Sequence, residues 1–387
     1  MTRRRVEIAA LFLGWFLALG FISRALFTAS SSITYTRISS ALHSVGRDAS
    51  AVEGNMVRRA RGGARRDRLK ELFPNLHDPA ALKNPAGLLW GAFDGGFPQS
   101  MEGFADLEQQ METTFPLVSL YQAWGDLPEN QFPTSMMETI AEIGSIPIIS
   151  WEPWVTTFDR EVRTNLAPVE RREFGSLAAI ARGDYDFHIV RWAEEAAAYK
   201  KPFFIRFAHE MNDPYRYPWG PQNGNRAEDF IAAWRHVHLL FEKKGAANAI
   251  WVWSPHLSMP WLEYYYPGPD VVDWIGFGVL NYGTVASWSR WWNVDDMLER
   301  PYVPLSSFKK PMMITEFGTL PTGGDPRAWI TGARVAFESR YPEVHAIVLY
   351  NQTHDDTLGG GALNWSPLAM PGTVQLLSAW MASARIR

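Results

Sequence analysis

The chain of 387 residues contains no cysteine. Disulfides, thiolate nucleophiles and cysteine-based metal sites are therefore excluded. The charges nearly balance, with 37 Lys and Arg against 41 Asp and Glu. A net charge of −4 provides no general attraction to nucleic acid, so we expect no nucleic-acid partner.

Several catalytic signatures are also missing. No G-x-G-x-x-G follows the first apolar run, which weakens a dinucleotide-binding sheet, and no G-x-S-x-G marks a hydrolase nucleophile. His209-Glu210 suggests a metalloprotease helix, but position 213 lacks the second histidine that this site needs. His236 and His238 stand two apart on a predicted helix and face apart. We expect neither a metal nor an organic cofactor.

Tryptophan is abundant, with 18 copies. A buried indole needs a partner for its N–H, so this number favours surfaces that stack on flat apolar faces, which sugar rings present. Most of the tryptophans could equally be ordinary core residues.

The first 27 residues resemble a secretory signal or a short signal-anchor. Arg3–Arg5 precede a continuous apolar run from Ile8 to Ile22. The small residues that follow form a weak cleavage site, so an uncleaved membrane anchor is slightly favoured. The positive charges predict that the remainder lies outside the cytoplasm, anchored or secreted. Residues 28–73, Ser-rich and then basic, are predicted to be a solvated, partly helical linker, with binding to anionic lipid or acidic polysaccharide as the alternative.

Residues 74–387 alternate apolar runs with amphipathic stretches. A buried parallel strand is typically a continuous apolar run, and the helical patterns include His188–Tyr199 and Glu228–Lys243. Strands that alternate with helices over about 300 residues predict a (β/α)8 TIM barrel, with an open doubly wound sheet as the rival. The eight predicted strands are Leu88–Phe93, Leu117–Ala123, Ile146–Trp151, Phe203–Ala208, Ile250–Ser254, Trp274–Leu280, Met312–Thr315 and Ala346–Tyr350.

Two of these runs stop at a glutamate, Glu210 after strand four and Glu316 after strand seven. Catalytic groups of barrel enzymes lie at the carboxyl ends of the strands. Strands four and seven lie on opposite sides of an eight-stranded barrel, so both carboxylates should face one mouth. A facing pair of carboxylates is the machinery of glycoside hydrolysis.

The neighbours of each glutamate suggest its role. Aromatic residues behind Glu210 would raise its pKa, which suits an acid/base, and Glu316 beside Thr315 is assigned as the nucleophile. If the reaction retains configuration, the carboxyl groups should lie about 5–5.5 Å apart. The candidate sugar contacts are His209, Asn212, Trp151, Trp154, Tyr217, Trp219, Tyr282 and Trp365.

The stretch Arg206–Asn212, followed by Tyr217-Pro218-Trp219, resembles glycoside hydrolase family 26, and Ile314–Gly318 is similar to the family's nucleophile strand. The resemblance extends from about Leu88 to the end of the chain. It implies a retaining endo-β-glycanase, most often a β-1,4-mannanase, with Glu210 as acid/base and Glu316 as nucleophile. The chain departs from the family at Gly278, where the family has Asp, and Tyr282 is a candidate to bond the nucleophile.

The leading hypothesis is therefore a monomeric endo-β-1,4-mannanase that acts on polysaccharide outside the cytoplasm. Mixed-linkage β-1,3-1,4-glucan or an exopolysaccharide is the alternative substrate, the latter by hydrolysis or transglycosylation. A non-catalytic polysaccharide-binding protein on the same barrel is the rival from another class.

Overall fold

The computed structural model describes residues 62–358 and 362–384. The predicted signal or anchor, residues 1–27, lies outside the described residues, as does the linker up to residue 61. Across the described ranges, no helix is both long enough and apolar enough to cross a membrane.

Eight parallel strands form a closed barrel in which each strand pairs with its sequence neighbours and the first pairs with the last. This confirms the predicted (β/α)8 architecture and excludes the open doubly wound sheet. Each predicted strand overlaps one observed strand. The strands are β1 Leu89–Asp94, β2 Leu117–Ala123, β3 Ile146–Glu152, β4 Phe203–Phe207, β5 Ala249–Trp253, β6 Trp274–Asn281, β7 Met312–Thr319 and β8 Val344–Asn351.

Helices cover the barrel on its outside, and the two helices predicted by periodicity are present. One connection departs from strict alternation, because residues 254–273 between β5 and β6 carry a 3-10 turn, Leu262–Tyr265, instead of an α-helix. The helices are α1 (62–72), α2 Pro79–Lys83, α3 Glu102–Gln110, α4 Thr134–Glu142, α5 Ser176–Ala181, α6 Asp186–Tyr199, α7 Ala227–Lys243, α8 Val294–Ser307, α9 Pro326–Ser339 and α10 Thr373–Ala384.

Alternate strand residues divide the core into two layers. Inward-facing side chains such as Leu117, Phe204 and Met313 fill the barrel, while their sequence neighbours pack between strands and helices. Trp274 of β6 also faces inward, and its indole N–H donates to the Leu82 carbonyl oxygen at 2.8 Å. The barrel is thus a packed core, which confines any substrate site to the loops at its ends.

The predicted linker is wrong at its C-terminal end, because α1 packs on the barrel. Arg65 is 7% exposed, and its guanidinium binds Glu108 at 2.7 Å and the Phe115 carbonyl oxygen at 2.9 Å. Leu69 joins the inner apolar cluster. The basic composition suggested a solvated segment, but Arg65 has a buried carboxylate partner that composition does not reveal.

Candidate active site

The loop after β4 holds Glu210 in an uncommon backbone conformation. Ala208 and Glu210 have φ values of 46° and 52°, a region that residues other than glycine seldom adopt. Hydrogen bonds from the Ala208 N–H to the Trp151 carbonyl oxygen at 3.1 Å, and from the Glu210 N–H to the Ser254 carbonyl oxygen at 2.7 Å, hold the turn against β3 and β5. Such a conformation persists only where its surroundings enforce it, and it is common at functional sites.

Glu316 lies inside β7 and reaches the mouth of the barrel through a β-bulge. Ile314 pairs with Phe277 and Glu316 with Gly278, so Thr315 is an extra residue on the β7 side of the β6–β7 pair. Ile314 and Phe317 both pack in the outer core layer, although they are three residues apart. The bulge therefore changes the alternation, and the Glu316 side chain turns into the barrel mouth.

Two donors converge on one oxygen of Glu316. The Tyr121 hydroxyl donates to Oε1 at 2.6 Å, and Arg206 Nη2 donates to the same oxygen at 2.8 Å. Burial alone would raise the pKa of Glu316, but the Arg206 charge and these hydrogen bonds outweigh burial and lower it. Glu316 is thus held ionised, as a nucleophilic carboxylate requires.

Glu210 has the opposite shift. Burial raises the pKa of Glu210, and the negative charge of Glu316 adds to this, while His256 and Arg216 act in the other direction. A point beside Gly278, where a Cβ would stand, lies 3.7 Å from Glu316 Oε2 and 4.0 Å from Glu210 Oε1. The two carboxylates therefore line the same space, and the absence of a side chain at Gly278 leaves it open. The predicted separation of the carboxyl groups stays a prediction.

A third carboxyl group, Glu152 at the end of β3, belongs to the same mouth. Burial raises the pKa of Glu152 to about 7, although the Trp154 indole N–H donates to Oε2 at 2.9 Å. Its Oε1 lies 3.9 Å from His209 Nε2. Burial lowers the pKa of His209 well below its usual value, so this contact joins a neutral imidazole to a carboxyl group that titrates near neutrality.

Arg216 belongs to the loop after β4 and extends toward the loop after β6. Its Nη1 is 3.4 Å from Glu210 Oε2, and its Nη2 is 3.1 Å from the hydroxyl of Tyr282, the residue that follows β6. The Arg216 side chain is 31% exposed, whereas that of Arg206 is only 2% exposed. One arginine is therefore built into the wall beside the nucleophile, while the other covers the acid/base and is open to solvent.

Five of the predicted sugar contacts are structural instead. Trp151 and Trp219 are fully buried, and Trp365 is 1% exposed, so packing accounts for all three indoles. His209 is fully buried and bonds the Tyr217 hydroxyl at 3.0 Å. The Asn212 amide exchanges two hydrogen bonds with the backbone of His256, at 2.7 and 3.0 Å, and joins the loops after β4 and β5. The third apolar run placed Trp151 correctly at a strand end but could not show which side its ring faces.

Three predicted sugar contacts remain accessible, and one of them, Tyr282, bonds Arg216 and not the nucleophile. Trp154, Tyr217 and Tyr282 are half-buried at the strand ends. Trp154 packs edge-on against Trp219, and Tyr217 stacks on that same buried ring. Tyr282 does not bond the nucleophile as expected, because Tyr121 does this and the Tyr282 hydroxyl accepts from Arg216. The prediction that these three rings contact sugar stays a prediction.

Sequence reasoning missed Tyr121, Arg206, Glu152 and Arg216 as functional residues. Arg206 carried a usable signal, since a single charge within a buried apolar strand requires a partner. Tyr121 was visible as an aromatic strand end, but its partner is 195 positions away along the chain. Arg216 has no distinguishing mark in the sequence.

The residues around Glu210 also include a possible cation site. Glu210, Asp213 and His256 place potential ligand atoms within 4.8 Å of one another. A cation there would be repelled by the positive charge of Arg216, whose Nη1 already lies 3.4 Å from Glu210 Oε2. The geometry thus favours proton transfer at Glu210 over metal binding.

Comparisons with known proteins bear on this arrangement. Residues 179–300 match the model of glycosyl hydrolase family 26, which confirms the resemblance around Glu210; the matched residues end before Glu316. The chain is 31% identical over 245 residues to Endoglucanase H of Acetivibrio thermocellus, covering 61% of this chain and 25% of that protein. It is 24% identical over 169 residues to a mannan endo-1,4-beta-mannosidase of Bacillus subtilis, covering 42% of each. The matches thus span less than half the length of either relative.

A solved structure supports the same fold. The Bacillus subtilis mannanase man26 superimposes with a TM-score of 0.51 at 20% identity, over 79% of this chain and 90% of that one. At this identity the likeness concerns the barrel alone.

Proposed function

We propose that this chain, whose residues 179–300 match the model of glycosyl hydrolase family 26, is a retaining endo-β-glycanase. The observation that carries the proposal is the pair Glu210 and Glu316, which face one space with pKa values shifted in opposite directions. Retaining hydrolysis needs one protonated and one ionised carboxyl group at the scissile bond.

In the first step the Glu316 carboxylate attacks the anomeric carbon while Glu210 donates its proton to the leaving glycosidic oxygen. The glycosyl–Glu316 ester forms, and the leaving sugar departs with that proton. Attack consumes the negative charge on Glu316, so its charged pairing with Arg206 is lost and the pKa of Glu210 falls. Glu210, now ionised, then takes a proton from water, and the water oxygen displaces Glu316 from the sugar.

We propose β-1,4-mannan as the substrate and mixed-linkage β-glucan as the second candidate. The name of the mannosidase relative supports mannan, and the name of Endoglucanase H supports a glucan. A hydrolysis screen on mannan, mixed-linkage glucan, β-1,3-xylan and exopolysaccharide compares their kcat/KM values. Longer products at high acceptor concentration would indicate transglycosylation instead of hydrolysis.

The catalytic assignment is tested with Glu316→Gln and Glu210→Gln, which keep the shape of each side chain. We expect each to reduce kcat by at least about a hundredfold, since acid/base and nucleophile act in the bond-breaking step. Glu299→Gln, on the exposed face of α8, is the matched control. If the wild type and both variants bind a β-glycan but leave it uncut, the chain is a binding protein and the proposal is wrong.

We further propose that the chain works outside the cytoplasm, on the basis of the arginines and the apolar run within residues 1–27, and, separately, that it is a monomer. Fractionation of cells that express the full chain checks this location, and carbonate extraction separates an anchored form from a secreted one. Recovery in the cytoplasmic fraction would contradict it. Sedimentation of the detergent-solubilised chain tests the monomer.

A further inference from the structure

We propose that Arg216 binds a carboxylate on one of the two sugars that flank the scissile bond, so that the preferred substrate is an acidic β-glycan. This inference rests on the proposed glycanase mechanism, and it predicts that an acidic form of the polymer is preferred over neutral mannan or glucan. The supporting features are the position of Arg216, its partners and the charge of the mouth during the reaction.

Among the described residues Arg216 forms one salt bridge, with Glu210, and the reaction removes the charge of that partner. Its Nη1 faces Glu210 Oε2 at 3.4 Å, longer than the 2.8 Å between Arg206 Nη2 and Glu316. Glu210 must carry a proton to act as the acid, and a protonated carboxyl group no longer neutralises a guanidinium. In the state that cleaves the bond, Arg216 therefore keeps neutral acceptors, the Tyr282 hydroxyl and the protonated carboxyl group, but loses its salt bridge.

The other charges of the mouth do not compensate for Arg216. The Glu316 carboxylate is bonded to the Arg206 guanidinium, which leaves that pair neutral. Glu152 faces His209, and its electrostatic partners are Arg206 and Glu316. His256 contributes positive potential at Glu210, and the Asp213 carboxylate, within 4.8 Å of both, opposes it. With Glu210 protonated, the Arg216 guanidinium is thus left without a salt bridge among the described residues.

The exposure and shape of Arg216 favour a carboxylate as the missing anion. The side chain is 31% exposed at the mouth, where a bound sugar can reach it. A guanidinium presents two parallel N–H groups that match the two oxygens of a carboxylate. When a substrate carboxylate takes this position, Arg216 can leave Glu210, whose pKa then rises toward the protonated form that the first step requires. An acidic substrate would thus help to activate its own acid catalyst.

The test compares a neutral polymer with its own oxidised form. Mannan and mixed-linkage β-glucan are each assayed before and after partial oxidation of C6 to a carboxylate, which changes the charge and keeps the linkages. We expect the wild type to show about tenfold higher kcat/KM on the oxidised form, because a hydrogen-bonded ion pair at a partly buried site outweighs a neutral contact. This preference should shrink at high salt.

Arg216→Gln should abolish the preference, while Arg216→Lys, which keeps the charge and loses the fork, should retain part of it. Arg290→Gln is the control, since this arginine follows β6 and its guanidinium lies 4.0 Å from the ring centroid of Trp292. Thermal unfolding confirms that each variant is folded. Equal kcat/KM on neutral and oxidised polymer, or a preference that survives Arg216→Gln, would overturn the inference and leave the proposed glycanase intact.

Binding separates this inference from the proposed function. Glu210→Gln imitates the protonated acid, so it should bind C6-oxidised oligosaccharides of mannan or glucan about tenfold more tightly than the wild type does, with little change for the neutral ones. The double variant Glu210→Gln/Arg216→Gln should lose this gain in affinity for the oxidised oligosaccharides. If no polymer is cut but this pattern holds, the proposed function fails and the anion site stands. Equal affinity for both forms would refute the site.

Discussion

The hydrogen bond from Tyr121 to Glu316 provides the sharpest test of how the mouth is tuned. Its length of 2.6 Å is typical of a hydroxyl that donates to an ionised carboxylate. Such bonds contribute about 1.5–3 kcal/mol, and one pKa unit corresponds to about 1.4 kcal/mol. Tyr121→Phe should therefore raise the pKa of Glu316 by about one to two units. We expect a shift near one unit, because Arg206 Nη2 still donates to Glu316 in this variant. In the wild type the same nitrogen also lies 3.3 Å from the Tyr121 oxygen.

The direction of the effect on activity follows from the role of Glu316. The pKa of Glu316 is lowered in the folded chain, and activity is lost as pH falls through that pKa because the protonated group cannot attack. A higher pKa in Tyr121→Phe moves the acidic limb of the kcat/KM profile to higher pH by the same one to two units, roughly. The assay is kcat/KM against pH on the best polymer from the screen.

Tyr199→Phe is the matched control, since the Tyr199 hydroxyl at the end of α6 donates to the Met137 carbonyl oxygen of α4 at 3.1 Å and not to a carboxylate. It should leave the acidic limb in place. An unchanged limb in a folded Tyr121→Phe variant would refute the argument that donors at Oε1 keep Glu316 ionised.

Three further results are expected. The pKa of Glu152 is raised from 4.5 to about 7 in the folded chain. Denaturant titrations of the wild type should therefore show that the free energy of unfolding falls by up to about 3 kcal/mol as pH rises from 4.5 to 7. Glu152→Gln should not show this fall. Arg65→Met should lower the free energy of unfolding by about 3–5 kcal/mol in the same titrations, because it leaves the buried Glu108 carboxylate unpaired. The control Arg68→Met, at an exposed position of α1, should lower it by less than about 0.5 kcal/mol. Equal losses would contradict the packing of α1. Trp151→Leu should lower the free energy of unfolding by about 3 kcal/mol and leave KM unchanged, because the indole is buried in the core. Trp154→Leu should raise KM with little loss of stability. The reverse pattern would indicate that Trp151 contacts the sugar.

The sequence predicted the barrel well because its information is local. Each strand of a parallel barrel is buried on both faces and therefore appears as one apolar run, and glycine, proline and lysine at the joins separate the runs. The same runs located Glu210 and Glu316 at the ends of strands four and seven. The chain from 62 to 73 was misassigned because composition alone does not reveal a buried partner for Arg65.

Side-chain direction and pairing were beyond the reach of the sequence. Trp151 and Trp154 are three residues apart and chemically identical, yet one is buried in the outer core and the other reaches the mouth. The roles of Tyr121 and Arg216 depend on partners 195 and 66 positions away. No pattern within a single segment encodes such distances.

The position of Glu316 depends both on the local sequence pattern and on the tertiary structure. The sequence alone determined that a glutamate ends the seventh apolar run and that a second carboxylate ends the fourth. Strict alternation along β7 would have turned Glu316 toward the helices, because Ile314, two residues before it, packs on that side. Only the tertiary structure supplied the bulge at Thr315, the Arg206 and Tyr121 donors, and the buried surroundings of Glu210. The physical reason is that burial and long-range charge set the two pKa values, and both arise only when the barrel closes.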